Sequence, residues 1–245
     1  MGCTSFMIIV QFDHKYYPWG SLMLRSLALH EPAHKVLADT VNLSPEQQAE
    51  LQHVYPHILV KNTALPEDRV TKEWMANRKA FVMQDAMTTY PDEPWYGILD
   101  ADFLIRRSLG ALWSLLDDYP TALMFTNGMW KGRFYLRLVT PSGIVLVRPD
   151  GRALIDNWAK WYFYERPMDA IPPRGWFWDQ LTLLQAWCEA RLAYAIIPIH
   201  IFADSSLSAN AAVWSANVKD KQHYYTLFRQ EYERQQQALA SHSLS

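Results

Sequence analysis

Short apolar runs alternate with amphipathic stretches through the first half of this chain, and that rhythm limits the folds open to it. The apolar runs are Phe6–Phe12 (FMIIVQF, ending at Asp13), Lys35–Val41, His57–Lys61 (HILVK), Trp95–Ile105 (WYGILDADFLI) and Thr121–Thr126. Helix-like segments lie between them at Pro18–His30, after Asn42-Leu43-Ser44-Pro45-Glu46, at Thr71–Thr89 and at Leu109–Asp117. Ser44 reads as an N-cap with Pro45 at the first helical position. Parallel strands need crossover helices, so this alternation predicts an α/β fold with a mainly parallel central sheet and helices on both faces. Later, Phe134–Val139 and Gly143–Arg148 read as two strands around a Pro141-Ser142-Gly143 turn, a small antiparallel addition. Helices are expected over Gly151–Tyr164 and Trp178–Arg191, then a strand at Tyr194–Ile199. The last stretch, rich in Gln, Glu and Ser, reads as an exposed helix fraying into a flexible tail. The expected division is one domain over 1–221 with that helix and tail over 222–245.

Composition removes several function classes. The chain has 245 residues, 50% hydrophobic and 20% charged, enough to bury a core. With 23 Lys+Arg against 25 Asp+Glu, it lacks the basic excess of a nucleic-acid binder. Cys3 and Cys188 form neither a disulfide framework nor a zinc motif. No apolar run approaches the ~20 residues that span a bilayer. MGCTSFMIIVQFD lacks a basic leader and a cleavage site, and Phe6 stands where an N-myristoylation signal has Ser or Thr. A cytoplasmic setting is therefore expected. The 14% aromatic content suits either a core or a sugar or nucleotide cleft.

In open α/β sheets, ligands bind beyond the carboxyl ends of the strands. Gly20 is the only glycine soon after the first strand, so a dinucleotide GxGxxG turn is absent, as is a Walker A loop anywhere. Instead Asp13 offers an acceptor for a base or ribose, with Tyr16 and Tyr17 able to stack; the alternative is a capping Asp and two packing tyrosines. The fourth run leads directly into Asp100-Ala101-Asp102. Carboxylates at i and i+2 of extended chain share a face and repel each other. Mg²⁺ or Mn²⁺, which binds through one or two carboxylates plus substrate phosphates, relieves that repulsion; a turn with Asp caps is the structural alternative. Arg78 and Lys79 interrupt an amphipathic pattern and could meet a diphosphate or the aspartates, or simply face solvent. Asp179 and Gln180 open a late helix between Trp176, Trp178 and an apolar run. An acidic residue there suits the helix dipole, and the pair could also bond sugar hydroxyls. Lys219 and Lys221 are candidate phosphate contacts or solvated surface.

Taken in order, the first strand with Asp13…Tyr17, LRSL, SPEQQAEL, RKAF, LDADFLI, SGIVLVR, WDQ and the late lysines resemble a GT-A-fold glycosyltransferase of the glycogenin/galactinol-synthase-like group (family 8-like) over about residues 6–221. That resemblance implies a metal-dependent hexosyltransferase moving a sugar from a nucleotide-diphosphate donor, UDP-sugar first, to a carbohydrate or other acceptor hydroxyl. It implies that Asp100 and Asp102 hold Mn²⁺ or Mg²⁺ and the donor diphosphate, and that Asp13 with Tyr16 or Tyr17 contacts base and ribose. Lys79 or Arg78 would lie near diphosphate and donor sugar, Ser142 and Gly143 at the sugar wall, Asp179 and Gln180 beside sugar and acceptor, and Lys221 or Lys219 on phosphate. The family pattern also implies a histidine as third metal ligand; Ser215 stands there, leaving His200, Asp204, His223 or water as substitutes. An inverting reaction would make Asp179 the general base; a retaining one would place Asp179 or Gln180 near the sugar's β face. A sugar-phosphate nucleotidyltransferase is disfavoured, because QFDHKYYPWG is unlike that family's glycine-rich loop. A catalytically degenerate nucleotide- or glycan-binding module is the remaining alternative.

Overall fold

A computed structural model describes residues 6–130, 133–163, 178–216 and 219–242. In chain order its first elements are β1 (Met7–Asp13), α1 (Tyr17–His30), β2 (Lys35–Val41), α2 (Pro45–Val54), β3 (Ile58–Thr63), α3 (Lys72–Asn77) and α4 (Lys79–Thr89). There follow β4 (Tyr96–Asp100), β5 (Phe103–Ile105), α5 (Gly110–Trp113), α6 (Leu115–Asp118), β6 (Thr121–Leu123), β7 (Thr126–Trp130), β8 (Arg133–Val139) and β9 (Ile144–Val147). The last are α7 (Arg152–Phe163), α8 (Trp178–Ala190), β10 (Tyr194–Ile196), α9 (Ile199–Phe202), β11 (Val213–Ser215) and α10 (Lys221–His242). Seven strands form the central sheet in the order β10-β6-β9-β4-β1-β2-β3, parallel except for β9.

The two-residue period of a strand divides the core. From β1, Ile8, Val10 and Phe12 pack with Met23, Leu24 and Leu27 of α1. Met7 and Ile9 face the other way, toward Val82 and Met83 of α4 and Leu154, Ile155 and Trp158 of α7. A strand covered on both faces reads as an unbroken apolar run, as FMIIVQF does. Gly20 lets α1 lie close on β1, because a Cβ there would come within 2.6 Å of the Phe12 ring. Ser44 caps α2 as expected and Gln47 bonds back to its backbone, a reciprocal capping box.

Four expectations are corrected. The Thr71–Thr89 helix breaks at Arg78, whose side chain is drawn to Asp39 on β2. The Trp95–Ile105 run is two strands: β4 lies in the central sheet, and β5 pairs antiparallel with β11. The strands around Pro141-Ser142-Gly143 are not a hairpin. β8 pairs with β7, while β9 enters the central sheet between β4 and β6. The C-terminal helix is docked, not simply exposed: Phe228 is fully buried with Leu22, Leu104 and Ala216.

That docking has an acidic limit. Arg106, almost entirely buried, bonds Glu231 at 3.0 Å, stacks on Trp214 and meets the carbonyls of Ser208, Ala209 and Ala211. Burial pushes the Glu231 carboxyl up, but hydrogen bonds from Arg234, Gln235 and Arg106 outweigh it and hold its pKa at about 2, against an ordinary 4.5. A carboxyl depressed in the folded state contributes stability above its unfolded pKa and loses it as pH falls. Thermal stability is therefore expected to decline as pH drops from 4.5 toward 2 through this group. Glu231→Gln should flatten that part of the pH–Tm curve; an unchanged slope would show that other carboxyls set it.

Candidate active site

The strand parity that builds the core also builds the site. Asp39, Gln11 and Asp100 are register partners across β2, β1 and β4 near the carboxyl ends of these parallel strands. Their positions continue the face that Leu37, Ile9 and Ile98 present to α4 and α7. The α3–α4 junction then places two cations along this row. Arg78 grips fully buried Asp39 through two bonds of 2.9 Å. Lys79 Nζ bonds Asp100 Oδ1 at 2.6 Å and Ser142 Oγ at 3.1 Å, and lies 3.9 Å from Asp179 Oδ2. Ser142 donates its hydroxyl to Asp179 Oδ2. Asp179 Oδ1, also buried, has no hydrogen-bond partner among the described residues.

Beyond the turn after β4, Asp102 carries its own cation: Lys221, the first residue of α10, bonds Asp102 Oδ2. The Lys221 ammonium also lies 5.7 Å from the Trp19 ring centroid and 6.0 Å from that of Tyr16. Asp13 accepts the Tyr16 backbone N–H at 2.9 Å, turning the chain from β1 into α1. Gly143 makes room beside Asp100, since a Cβ there would fall 2.8 Å from Asp100 Oδ2 and 3.1 Å from the Phe103 ring.

Burial dominates the electrostatics. It pushes the Asp102 carboxyl up, and the neighbouring Asp100 charge adds to this while Lys221 and Lys79 oppose it. Burial also raises Asp179 against the pull of Lys79 and Ser142. For Lys79, burial works against the charge, but Asp100, Asp179 and Asp102 more than compensate and keep it firmly protonated. Tyr16 is raised, chiefly by burial.

No family model and no curated protein matches the sequence. The fold does match solved structures. The glycosyltransferase GlyE of Streptococcus pneumoniae TIGR4 superposes with a TM-score of 0.63 at 14% identity, over 98% of this chain and 64% of GlyE, so this chain spans less than two thirds of that protein. The galactosyltransferase LgtC, solved with donor and acceptor sugar analogs, gives a TM-score of 0.61 at 15% identity over 94% of this chain and 96% of LgtC. A glycosyltransferase involved in glycosylation of the major capsid of PBCV-1 gives 0.58 at 12% identity, over 91% of this chain and 99% of that one. This chain has a GT-A glycosyltransferase fold.

On that GT-A scaffold the structure brings together Lys79, Asp100, Ser142, Gly143 and Asp179, with Asp102, Lys221 and Tyr16 alongside. Two other sequence candidates are committed elsewhere: Arg78 to Asp39, and Tyr17 to Glu50, which Arg25 also holds. Lys219 is exposed, Gln180 is half-buried, and Trp176 lies outside the described residues. Ser215 is buried on β11 opposite Phe103. Of the substitutes for a third ligand, Asp204 spends its carboxylate on Ser206 and Ser208, and His223 packs its ring against Tyr224. Asp39 and Trp19 were missed. A fully buried carboxylate in the apolar strand KVLADTV is the sequence signal for Asp39, because such a charge requires a cation.

A divalent ion fits this donor set in part of its coordination sphere. Asp100 and Asp102 present hard oxygens, and both have drawn ammonium groups, so positive charge is what the position calls for. Among the described residues no group of three or more His, Cys, Asp or Glu is placed to hold a metal ion by itself. The chain would thus supply two carboxylates, leaving phosphate and water for the rest, as Mg²⁺ commonly requires.

Proposed function

We propose that this chain transfers a hexosyl group from a nucleotide-diphosphate sugar, with UDP-sugars the first choice, to a hydroxyl of a carbohydrate or other acceptor, in the manner of the glycogenin/galactinol-synthase-like group. The observation that carries this is the junction at Lys79. One ammonium ties together Asp100 at the end of β4, Ser142 ahead of β9 and Asp179 at the start of α8, with the Asp102–Lys221 pair two residues along the chain from Asp100. Buried carboxylates beside fixed cations suit a substrate with both phosphate charge and sugar hydroxyls. The proposed catalytic unit is residues 1–221, with 222–245 a C-terminal helix and tail, and the proposed compartment is the cytoplasm. No helix among the described residues is long and apolar enough to cross a membrane.

In this reading Asp100 and Asp102 hold Mn²⁺ or Mg²⁺, which when bound supplies positive charge for the departing diphosphate. Lys79 adds a fixed cation near the same leaving group, stabilisation by preorganised charge, and Lys221 supplies a second, less constrained one. Tyr16, anchored by Asp13, offers its ring to the base. Asp179, oriented by Ser142 and Lys79, has in Oδ1 an acceptor with no partner among the described residues, which is proposed to take a sugar or acceptor hydroxyl. With Gln180 beside it in the first turn of α8, it is the residue proposed to act at the sugar.

The test is a panel of UDP- and GDP-sugars with Mn²⁺, with and without oligosaccharide acceptors, reading release of nucleoside diphosphate. Release is expected with at least one donor. Asp102→Asn should lower it by on the order of 10²-fold, the effect of removing one charge-stabilising group. Donor binding without release would favour the degenerate-module alternative. Neither binding nor release across the panel would overturn nucleotide-sugar chemistry.

A further inference from the structure

Resting on that reading, we infer that Lys221 is the resident counter-ion of Asp102, which a divalent cation must displace, so that metal and nucleoside diphosphate bind this chain as a coupled pair. The two carboxylates each hold an ammonium, but the two lysines are not equivalent. Lys79 has 13% of its side chain exposed and is locked by Asp100, Ser142 and Asp179. Lys221 is 32% exposed, has Asp102 as its carboxylate partner and stands at the first position of a helix. Of the two, Lys221 is the one that can leave.

A metal ion alone must break the Lys221–Asp102 pair and strand an ammonium between the Trp19 and Tyr16 rings, where cation–π attraction recovers only part of the loss. A metal ion arriving with a diphosphate gives the displaced ammonium a new anion. Each ligand therefore assists the other. Because coupling is reciprocal, the diphosphate raises metal affinity by the same factor as the metal raises diphosphate affinity, typically about 5–150-fold. With Lys221 removed, Asp102 has lost the competing cation, so metal alone binds better and coupling falls.

The test uses the full chain with Mn²⁺ as probe, following free Mn²⁺ by electron paramagnetic resonance with and without UDP. Wild type should bind Mn²⁺ weakly alone, and more tightly by about tenfold or more with UDP. Lys221→Met should bind Mn²⁺ alone about tenfold more tightly than wild type and show little enhancement by UDP. Lys221→Gln serves the same purpose if the methionine variant folds poorly, and Lys221→Arg should behave like wild type. If wild type shows UDP-enhanced Mn²⁺ binding and neither neutral variant gains affinity for Mn²⁺ alone, the counter-ion role is wrong while the metal–donor reading stands. If no variant binds Mn²⁺ with or without UDP, both fall.

Discussion

Lys79→Met is expected to lower the melting temperature by on the order of 10 °C and to abolish nucleotide-sugar binding. The ammonium serves half-buried Asp100 and buried Asp179 and Ser142. Taking one partner out of a buried ion pair costs about 3–5 kcal/mol, because the charge left behind has lost both water and its counter-ion. For a domain of this length each kcal/mol moves Tm by roughly 2–4 °C. Methionine roughly preserves volume, so the loss is electrostatic rather than a cavity. Lys79→Met with Asp100→Asn should regain part of the stability, since the double change removes one of the two carboxylates left without their cation. Donor binding should not return with it, as both groups are proposed to face the diphosphate. Calorimetry of the single and double variants checks this. A single variant melting within about 2 °C of wild type would show that Asp100 and Asp179 need no cation from Lys79.

The contrast between Arg78 and Lys79 shows what the sequence could and could not reveal. Both interrupt the same amphipathic pattern, and one-dimensional reading gives no means of separating them. The choice is made by Asp39 on β2, 39 residues before Arg78, which takes the longer forked side chain and leaves Lys79 for Asp100. Tyr16 and Tyr17 separate the same way: helix geometry turns Tyr17 toward Glu50 of α2, while Tyr16 stays beside Lys221. Local features were legible because their causes are local. Ser44, Pro45 and Gln47 dictate a helix start, and apolar β-branched runs dictate buried strands. The placement of β9 was not legible. Its residues Ile144–Val147 are buried throughout, which an apolar run suggests, but which strands flank it depends on pairings with β4 and β6 that no turn encodes. The Pro-Ser-Gly turn signal pointed to β8 as its partner, but β8 pairs with β7 in a separate sheet instead. The docking of α10 was hidden for another reason. Its sequence is polar on average, and its attachment rests on a buried phenylalanine, a few aromatics, the ion pairs of Glu231 with Arg106 and Lys221 with Asp102, and the contact of Gln235 with His30.

Phe228→Ala is therefore expected to act well beyond its own site. Phe228 is fully buried among Leu22, Leu104 and Ala216, with Trp19, Trp214 and Tyr224 around it. Truncating such a phenylalanine costs about 3–5 kcal/mol, through lost burial and the cavity left behind. That is again on the order of 10 °C in Tm. The functional effect follows from position. Two helical turns separate Phe228 from Lys221, and the Trp19 ring that packs edge-on against Phe228 at 5.7 Å is the ring beneath the Lys221 ammonium. Loosening this cluster releases both the start of α10 and the aromatic floor under Lys221, so the ammonium is no longer held where a diphosphate would meet it. UDP affinity in the presence of Mn²⁺ should fall by about tenfold, comparable to removing the lysine's charge-assisted contact of roughly 1.5–3 kcal/mol in part, although Phe228 touches no group of the site. Phe228→Leu, which keeps most of the volume, should retain most of both stability and affinity. Measured by thermal melting alongside calorimetric titration with UDP, a variant that melts early but binds UDP as wild type does would show that Lys221 is positioned locally at the start of α10, not by the helix's docking.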